Sequence, residues 1–340
     1  MRLSDFDYEL PDERIAQAPI EPRDAARLLV DRGGDPPAHR CFRDLPEILR
    51  PDDLLVVNET EVIPARLALA RATGGRAEVL MLEPLDGERT LWEALVRPAR
   101  RLRVGEQLVA ADGTPVVELG ERTAAGDTFH VRVLGPVDSL DVLATRGEMP
   151  LPPYITERLA DPDRYQTVYA REPGSAAAPT AGLHFTPDLL DRLRAAGVGL
   201  AEVELVVGLD TFRPVTEDDP TEHRMHTERY RVPAETMERC RSVRRAGGRV
   251  VAVGTTSARA LESAARRDEL VGRTDIFIHT PYDWQLVDLM LTNFHLPRTT
   301  LLMMIDAFVG DRWRDLYAAA LAGDYRFLSF GDAMLLDRHA

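Results

Sequence analysis

Apolar positions along the chain follow two periods. From about Arg66 to Leu134 they alternate with polar positions over short runs, AEVLMLE, LWEALVR, PVVEL and TFHVRVL. Glycine turns at Thr73 to Gly75, Asp86-Gly87 and Asp112-Gly113 separate these runs. A period of two puts alternate side chains on opposite faces of a strand, and strands so spaced without an intervening helix predict a small antiparallel β-barrel or sandwich. Before this region, Arg27 to Val30 and LLVVN (Leu54 to Asn58) are short β-rich runs behind turn formers at Pro11, Pro19 and Pro22.

After Gly135 the period lengthens to that of a helix, beginning in VDSLDVLATRG, and Pro152-Pro153 marks a return to another layer. PDLLDRLRAAG (Pro187 to Gly197) has proline in its first turn and glycine at its end, the start and stop signals of a helix. It leads into a strand, LAEVELVVG. Then come helix PAETMERCRSVRRAGG, strand RVVAVG, helix TTSARALESAARR, strands DIFIH and VDLMLTN, and helices around Leu301 and Leu316. Strands alternating with helices of this length predict a mostly parallel α/β layer. The expected fold is an α/β domain, discontinuous over residues 1–65 and 150–340, with an inserted antiparallel β-barrel domain at 66–149.

Composition narrows the class. At 340 residues, with 44% hydrophobic and 29% charged residues, the chain can bury a large core. The opening residues hold Asp5, Asp7, Glu9, Asp12 and Glu13 without an apolar run, so no secretory signal is expected. The most apolar helical run, Thr299 to Gly310, is short and holds Asp306, so no membrane span is expected either. Cys41 and Cys240 stand far apart without CxxC spacing, which indicates neither a disulfide framework nor a zinc site and points to the reducing cytoplasm. A net charge of −14 repels a polyanion on average, so any nucleic-acid contact must use a local basic patch. All 42 basic residues are arginine, which excludes a lysine Schiff base or lysine general base.

Two segments, AAPTAGLHFT (Ala177 to Thr186) and TNFHLP (Thr292 to Pro297), set histidines His184 and His295 among turn formers and small polar residues, the composition of a ligand loop. Gly182 permits close backbone approach, Thr180 supplies a hydroxyl, and Asn293 offers both a donor and an acceptor. GTTSARALE follows an apolar strand and opens a helix, so Thr255, Thr256 and Ser257 beside the first helical amides make a place for a carboxylate, phosphate or ribose; a plain helix cap is the other reading. In TEHRMHTERY, His223 and His226 lie beside Glu222 and Glu228, with acid/base work favoured over zinc because no HExxH spacing accompanies them. Asp332, after Gly331, is a further candidate carboxylate. RPARRLR concentrates Arg97, Arg100, Arg101 and Arg103 on the barrel rim, either a phosphate contact or a solvated basic face. No GxSxG elbow and no GxGxxG fingerprint is present.

Taken in order, DFDYELP, IAQAPIEPRD, NETEVIPARL, MPLPPYI, YQTVYA, AAPTAGLHFT, HRMHTE, VGTTSARALES, TNFHLP and YRFLSFGDAML make a chain that resembles the S-adenosylmethionine:tRNA ribosyltransferase-isomerase family of queuosine biosynthesis nearly end to end. The resemblance implies that the ribosyl part of S-adenosylmethionine passes to the aminomethyl group of a 7-deazaguanine in a tRNA anticodon and isomerises, giving epoxyqueuosine and releasing adenine and methionine. It implies S-adenosylmethionine as a consumed donor, no metal, and a monomer acting on tRNA. A sulfonium acidifies the neighbouring C5′ hydrogen, so a positioned base starts the sequence and a donor helps adenine leave. Under the resemblance His184 or His226 is base and proton shuttle, and Glu228 or Asp332 orients it or stabilises positive charge. Thr255, Thr256 and Ser257 hold ribose or the methionine carboxylate. Asn58, Arg66, Thr180, Gly182, Asn293 and His295 line the substrate pocket.

The chain departs from the family pattern at Val206 and Asp210 in LVVGLDTF, at IHTPY followed by Asp283 and Trp284, at Glu61 and at Ala26. These departures leave room for a divergent relative using a free small-molecule acceptor, and a non-catalytic RNA-binding protein on the same fold is a third possibility. The retained hydroxyls and histidines weigh against the last.

Overall fold

A computed structural model describes residues 1–123, 126–135, 138–208, 217–223 and 225–340. Asp210 therefore lies outside the described residues. The chain begins with β1 (Arg27–Arg32), β2 (Asp35–Cys41), the short helix α1 (Leu45–Ile48), β3 (Leu54–Asn58) and β4 (Thr60–Val62). Next come β5 (Arg66–Arg71), β6 (Arg76–Pro84), β7 (Leu91–Arg97), β8 (Gln107–Val109), β9 (Pro115–Arg122), β10 (Phe129–Val133), helix α2 (Ser139–Arg146) and β11 (Gly147–Glu148). The remainder runs β12 (Glu172–Ser175), α3 (Pro187–Ala195), β13 (Gly199–Leu205), β14 (Glu228–Arg231), α4 (Ala234–Arg245), β15 (Val250–Val253), α5 (Gly254–Arg267), β16 (Val271–Thr274), β17 (Leu289–Asn293), α6 (Thr300–Val309), α7 (Arg312–Ala322) and β18 (Ala333–Asp337).

The large sheet has the order β16-β14-β13-β3-β15-β17-β18-β1-β2. Its centre, β13 through β17, is parallel, whereas β14, β16, β18 and β2 join their inner neighbours antiparallel. Every residue of LLVVN is buried because both faces of β3 are covered: Leu54 and Val56 enter the core with α5, α6 and α7, and Leu55 and Val57 enter the core with α1 and α3. The second sheet closes on itself through β5-β6-β7-β10-β9-β8 and back to β5, a six-stranded antiparallel barrel with β11 added to β5. Inward Val79, Met81, Trp92, Ala94, Val117, Leu119 and Val131 fill it, the alternation read from the sequence.

Some expectations needed correction. DIFIH is not a strand: β16 ends at Thr274, whose hydroxyl accepts from the Ile276 amide in a turn, and Ile278 is apolar because it enters the core rather than a ladder. β2, β14 and β18 gave no sequence signal that was read as a strand. β2 is a mostly exposed edge strand with two prolines, and β18 lay inside a run read as aromatic core.

Body and barrel touch through polar side-chain contacts as well as apolar ones. Arg273 on β16 reaches Glu83 on β6 at 2.7 Å, and His226 Nε2 lies 3.1 Å from Asp127 Oδ2 between β9 and β10. Within the body, Asp53 at the start of β3 is fully buried and receives Nε and Nη2 of Arg249 at 2.9 and 2.6 Å, while the Arg50 amide donates to it at 2.8 Å. This two-pronged pair ties the loop before β15 to the start of β3. Asp53→Ala leaves the guanidinium without that partner, and urea unfolding of the variant should show a loss of about 3–5 kcal/mol; a change below about 1 kcal/mol would mean the pair is neutral.

Candidate functional site: a cleft at the strand ends

The central strand β15 runs directly into α5 through Gly254, whose φ of +85° lies where a side chain is strained. Around that turn a cleft opens at the carboxyl ends of β15 and β17, the customary ligand position in a parallel sheet. α5 contributes Thr255 and Thr256; the Thr256 hydroxyl is buried and has no hydrogen-bond partner among the described residues. Ser257 does not join them, because its hydroxyl turns back to the Val253 carbonyl at 2.8 Å.

From β17 and the loop after it come Thr292, Asn293 and His295. Asn293 spends both amide hydrogens and one oxygen lone pair on the fold, leaving the second lone pair for a ligand. Its oxygen accepts from the Thr180 hydroxyl at 2.9 Å, and its amide nitrogen donates to His184 Nε2 and to the Asp332 carbonyl, each at 3.3 Å. An amide N–H can only donate, so Nε2 of the neutral His184 ring is the acceptor and the proton sits on Nδ1. His184 itself lies behind Asn293, stacked near Phe42 with ring centroids 4.9 Å apart, and does not line the cleft. Burial, then the charges of Arg326 and Arg23, push its pKa down to about 4 despite a favourable bond to the Arg23 backbone. His295 does line the cleft. Its Nε2 pairs with the Thr292 hydroxyl at 3.1 Å, its amide donates to Tyr317 at 3.0 Å, and its carbonyl accepts from Tyr8. Burial alone pushes its pKa down to about 3. Both imidazoles are neutral at working pH.

Gly182 answers to packing. A methyl on its Cα would come within 2.0 Å of the Tyr169 hydroxyl, so glycine lets the turn bearing Thr180 and His184 pack against that ring. Asp332 is committed too: Arg27 and Arg326 amides donate to its two oxygens at 2.8 Å each, so it fixes backbone rather than presenting a charge.

The other candidates lie elsewhere. Asn58 is buried, exchanges bonds with Leu205 at 3.0 and 3.1 Å, and fastens β3 to β13. Glu228 accepts from Gly208 and from Arg259 in a buried pair. His223 sits 3.2 Å from Glu217, and His226 is at the seam with the barrel. Arg66 pairs with Glu78 at 3.2 Å and, with Arg97, lines a second cavity of about 570 Å³ between barrel and body. Arg100, Arg101 and Arg103 are exposed beyond β7. The two cavities share a wall: Tyr154, Ala178 and Val207 line the first, Ile155, Ala176 and Gly208 the second. Sequence reading passed over Tyr154 and Ser329, paired at 2.7 Å on the cleft, and Arg259, whose spacing of four from Thr255 was the available signal. Among the described residues no cluster of three or more His, Cys, Asp or Glu is placed to hold a metal ion.

A parallel-centred sheet with a helix N-terminus, hydroxyls and neutral imidazoles at its strand ends, joined to a closed barrel, defines an α/β protein built to bind a small polar ligand beside a second module. The family model described as queuosine biosynthesis protein matches residues 3–336. The chain belongs to this family. It is 55% identical to the S-adenosylmethionine:tRNA ribosyltransferase-isomerase of Symbiobacterium thermophilum over 99% of this chain and 100% of that one. It is 51% identical to the protein of the same name from Azoarcus sp., covering 100% of this chain and 98% of that one. The crystal structure of S-adenosylmethionine tRNA ribosyltransferase from Thermotoga maritima is similar with a TM-score of 0.55, at 39% identity over 97% of this chain and 99% of that one. None of Ala26, Glu61, Val206, His279, Asp283 or Trp284 lines either cavity. Trp284 instead donates to the Ala307 carbonyl at 2.9 Å and packs on Phe308, supporting α6.

Gly182→Ala should destabilise the fold by about 1–3 kcal/mol through overpacking, and Tyr169→Phe in the same chain should restore part of the loss by removing the atom struck first. Melting of the single and double variants decides it; equal losses would place the collision elsewhere. Unfolded imidazoles protonate near pH 6.5, but folded His184 waits until about pH 4 and His295 until about pH 3. Between those values the unfolded chain binds more protons. The contribution of the neutral rings is therefore complete above about pH 6.5 and falls as pH drops, by up to roughly 1.4 kcal/mol per pH unit for each. Urea midpoints followed downward from neutral pH should slope less steeply in a His184→Gln, His295→Gln double variant than in the parent.

Proposed function

We propose that the strand-end cleft holds S-adenosylmethionine and that this chain performs the family's reaction. The ribosyl moiety passes to the aminomethyl group of a 7-deazaguanine in tRNA and isomerises to give epoxyqueuosine, with release of adenine and methionine. The observation that carries this reading is the convergence of Thr255 and Thr256 at the start of α5 with Asn293 and His295 at the end of β17 in one cleft. The α5 N-terminus and its hydroxyls suit ribose or the methionine carboxylate. Asn293, held by Thr180 and His184, orients the donor.

On this reading His295, the imidazole that lines the cleft, moves the protons. It is neutral, so a ring nitrogen can take up the C5′ proton that the sulfonium acidifies, although burial, by lowering its pKa, makes it a weak base. The low pKa then makes the imidazolium a ready donor to the departing adenine. His184 positions Asn293, and Glu228 and Asp332 hold backbone and Arg259 in place. The body, residues 1–65 and 150–340, binds the donor; the inserted barrel, residues 66–149, meets RNA through the cavity bearing Arg66 and Arg97 and through exposed Arg100, Arg101 and Arg103. That Ala26, Glu61, Val206, His279, Asp283 and Trp284 line neither cavity favours tRNA over a free acceptor.

Adenine release from S-adenosylmethionine in the presence of deazaguanine-bearing tRNA, with the matching mass gain on the RNA, tests the activity. Turnover with free aminomethyl-deazaguanine and none with tRNA would assign the small acceptor instead. His295→Ala should lower kcat by roughly a hundredfold or more while leaving tRNA affinity unchanged; parental turnover would remove His295 from the chemistry. Neutralising Arg100, Arg101 and Arg103 together should weaken tRNA binding and reduce the slope of log affinity against log salt by up to about 3. An unchanged slope would make the run a solvated face.

A further inference from the structure

Arg259 lies on α5 one turn beyond Thr255 and three residues beyond Thr256, on the face that those hydroxyls share. Its side chain is only 5% exposed. Glu228 engages Nη1, and Glu228 is in turn held by the Gly208 amide at 2.9 Å. Nε and Nη2 are buried and have no partner among the described residues. Those two atoms form one straight edge of the guanidinium, with both N–H groups pointing the same way. Elsewhere in this chain the same edge takes a carboxylate with two prongs: Arg71 binds Glu106 at 2.6 and 3.1 Å, and Arg249 binds Asp53 at 2.9 and 2.6 Å, in both cases through Nε and Nη2. In Arg259 the fork is oriented by Glu228, desolvated, and without a partner among the described residues.

The hollow that Arg259 lines is bounded by Met225, Ile278, Thr300, Leu301 and Met304. Leu301 lines the main cleft as well, and Val207, next to Gly208, does too. Through Leu301 the hollow that holds the guanidinium adjoins the donor cleft, one helical turn from its hydroxyl-bearing floor. A second buried group without a partner among the described residues, the Thr256 hydroxyl, lies on that floor. Buried donors without acceptors are costly, and a single planar anion that reaches both would satisfy them.

We propose that Arg259 is the recognition residue for the carboxylate of the donor's amino-acid part, which it takes two-pronged through Nε and Nη2, with Thr256 supplying a third hydrogen bond. The inference rests on the assignment of the cleft to S-adenosylmethionine and adds which atoms of the donor are read there. Recognition of this kind selects donors that carry a carboxylate and anchors the end of the molecule that leaves as methionine, so that the sulfonium and ribose are held against His295. Glu228 acts through Arg259 as a positioning residue, keeping the fork from rotating toward solvent.

The test is equilibrium binding of two ligands to the full chain: S-adenosylmethionine, and its decarboxylated counterpart, which keeps the adenosine, sulfonium and amine but lacks the carboxylate. The parent should prefer the first by about 10- to 100-fold, the range for a charge-assisted two-pronged bond. Arg259→Gln should lose most of that preference by binding S-adenosylmethionine more weakly while its affinity for the decarboxylated ligand changes little; Arg259→Lys should keep part of it. No preference in the parent overturns the assignment without recourse to any variant, which covers the case of Arg259→Gln failing to fold. Equal weakening of both ligands in folded Arg259→Gln and Arg259→Lys overturns it as well, since that is the mark of a merely structural role. Weaker tRNA binding with unchanged S-adenosylmethionine binding in Arg259→Gln would mean that the fork reads a phosphate, and the assignment falls. Thr256→Val separates this inference from the one beneath it. If that variant weakens both ligands and the parent shows no preference, the cleft still holds the donor and only Arg259 is misassigned; if the parent binds neither ligand, the cleft assignment itself fails.

Discussion

The amide of Asn293 is where the site is fastened together. Its atoms reach the Thr180 hydroxyl, the His184 ring and the Asp332 backbone, joining segments more than a hundred residues apart on one side and about forty on the other. Because the network is buried, each bond acts in a low dielectric, and an unsatisfied member would be costly. Its neighbours are fixed in the same manner. Asp332 draws the start of β1 toward the loop before β18, and Tyr8 and Tyr317 grip the His295 backbone from opposite ends of the chain. The supports of the cleft are polar, directional and already paired.

Buried charge follows a consistent rule in this protein. Glu262, inside α5, is wholly buried and accepts three successive amides, Gln285, Leu286 and Val287, at 2.8 to 3.0 Å. That carboxylate holds α5 against the approach to β17, the two elements whose ends form the cleft. Burial raises its pKa, and the three amide bonds oppose the shift. Asp53 with Arg249 performs the same service at the far end of the sheet. Arginine suits this role better than lysine, since a planar fork meets a carboxylate with two parallel bonds. A chain without lysine has this device at every basic position.

The barrel contributes differently. Its core is apolar and takes in Ile63, Ala65 and Ala176 from the body, and polar contacts, Arg273 with Glu83 and His226 with Asp127, join the two beside the cavity that bears Arg66 and Arg97. The two cavities back onto each other along residues 154–155, 176–178 and 207–208. Under the proposed function, a donor in the first cavity and an acceptor base in the second would meet along this shared boundary, where a transfer between two substrates needs them.

Local pattern determined a good deal. Alternation marked the barrel strands β6, β7, β9 and β10, while β8 was not read; proline and glycine punctuation marked α3, and the hydroxyl run after an apolar strand marked the opening of α5. These signals are readable because they arise from neighbours in the chain: side-chain period, caps and turn chemistry. The same sequence named His184, Asn293, His295, Thr255 and Thr256 as residues of chemical interest. It did not separate the imidazole that faces the cleft from the one that stands behind it, nor the threonine hydroxyls on the floor from a Ser257 that bonds its own helix. Asp332, Asn58 and Glu228 read as free polar groups in one dimension and prove to be paired in three. β2 and β18 had no local signature, since their strand state comes from β1 and β17 lying beside them. Which polar side chain spends its hydrogen bonds on the fold, and which keeps them for a ligand, depends on partners brought together from distant parts of the chain; only the tertiary structure decides that.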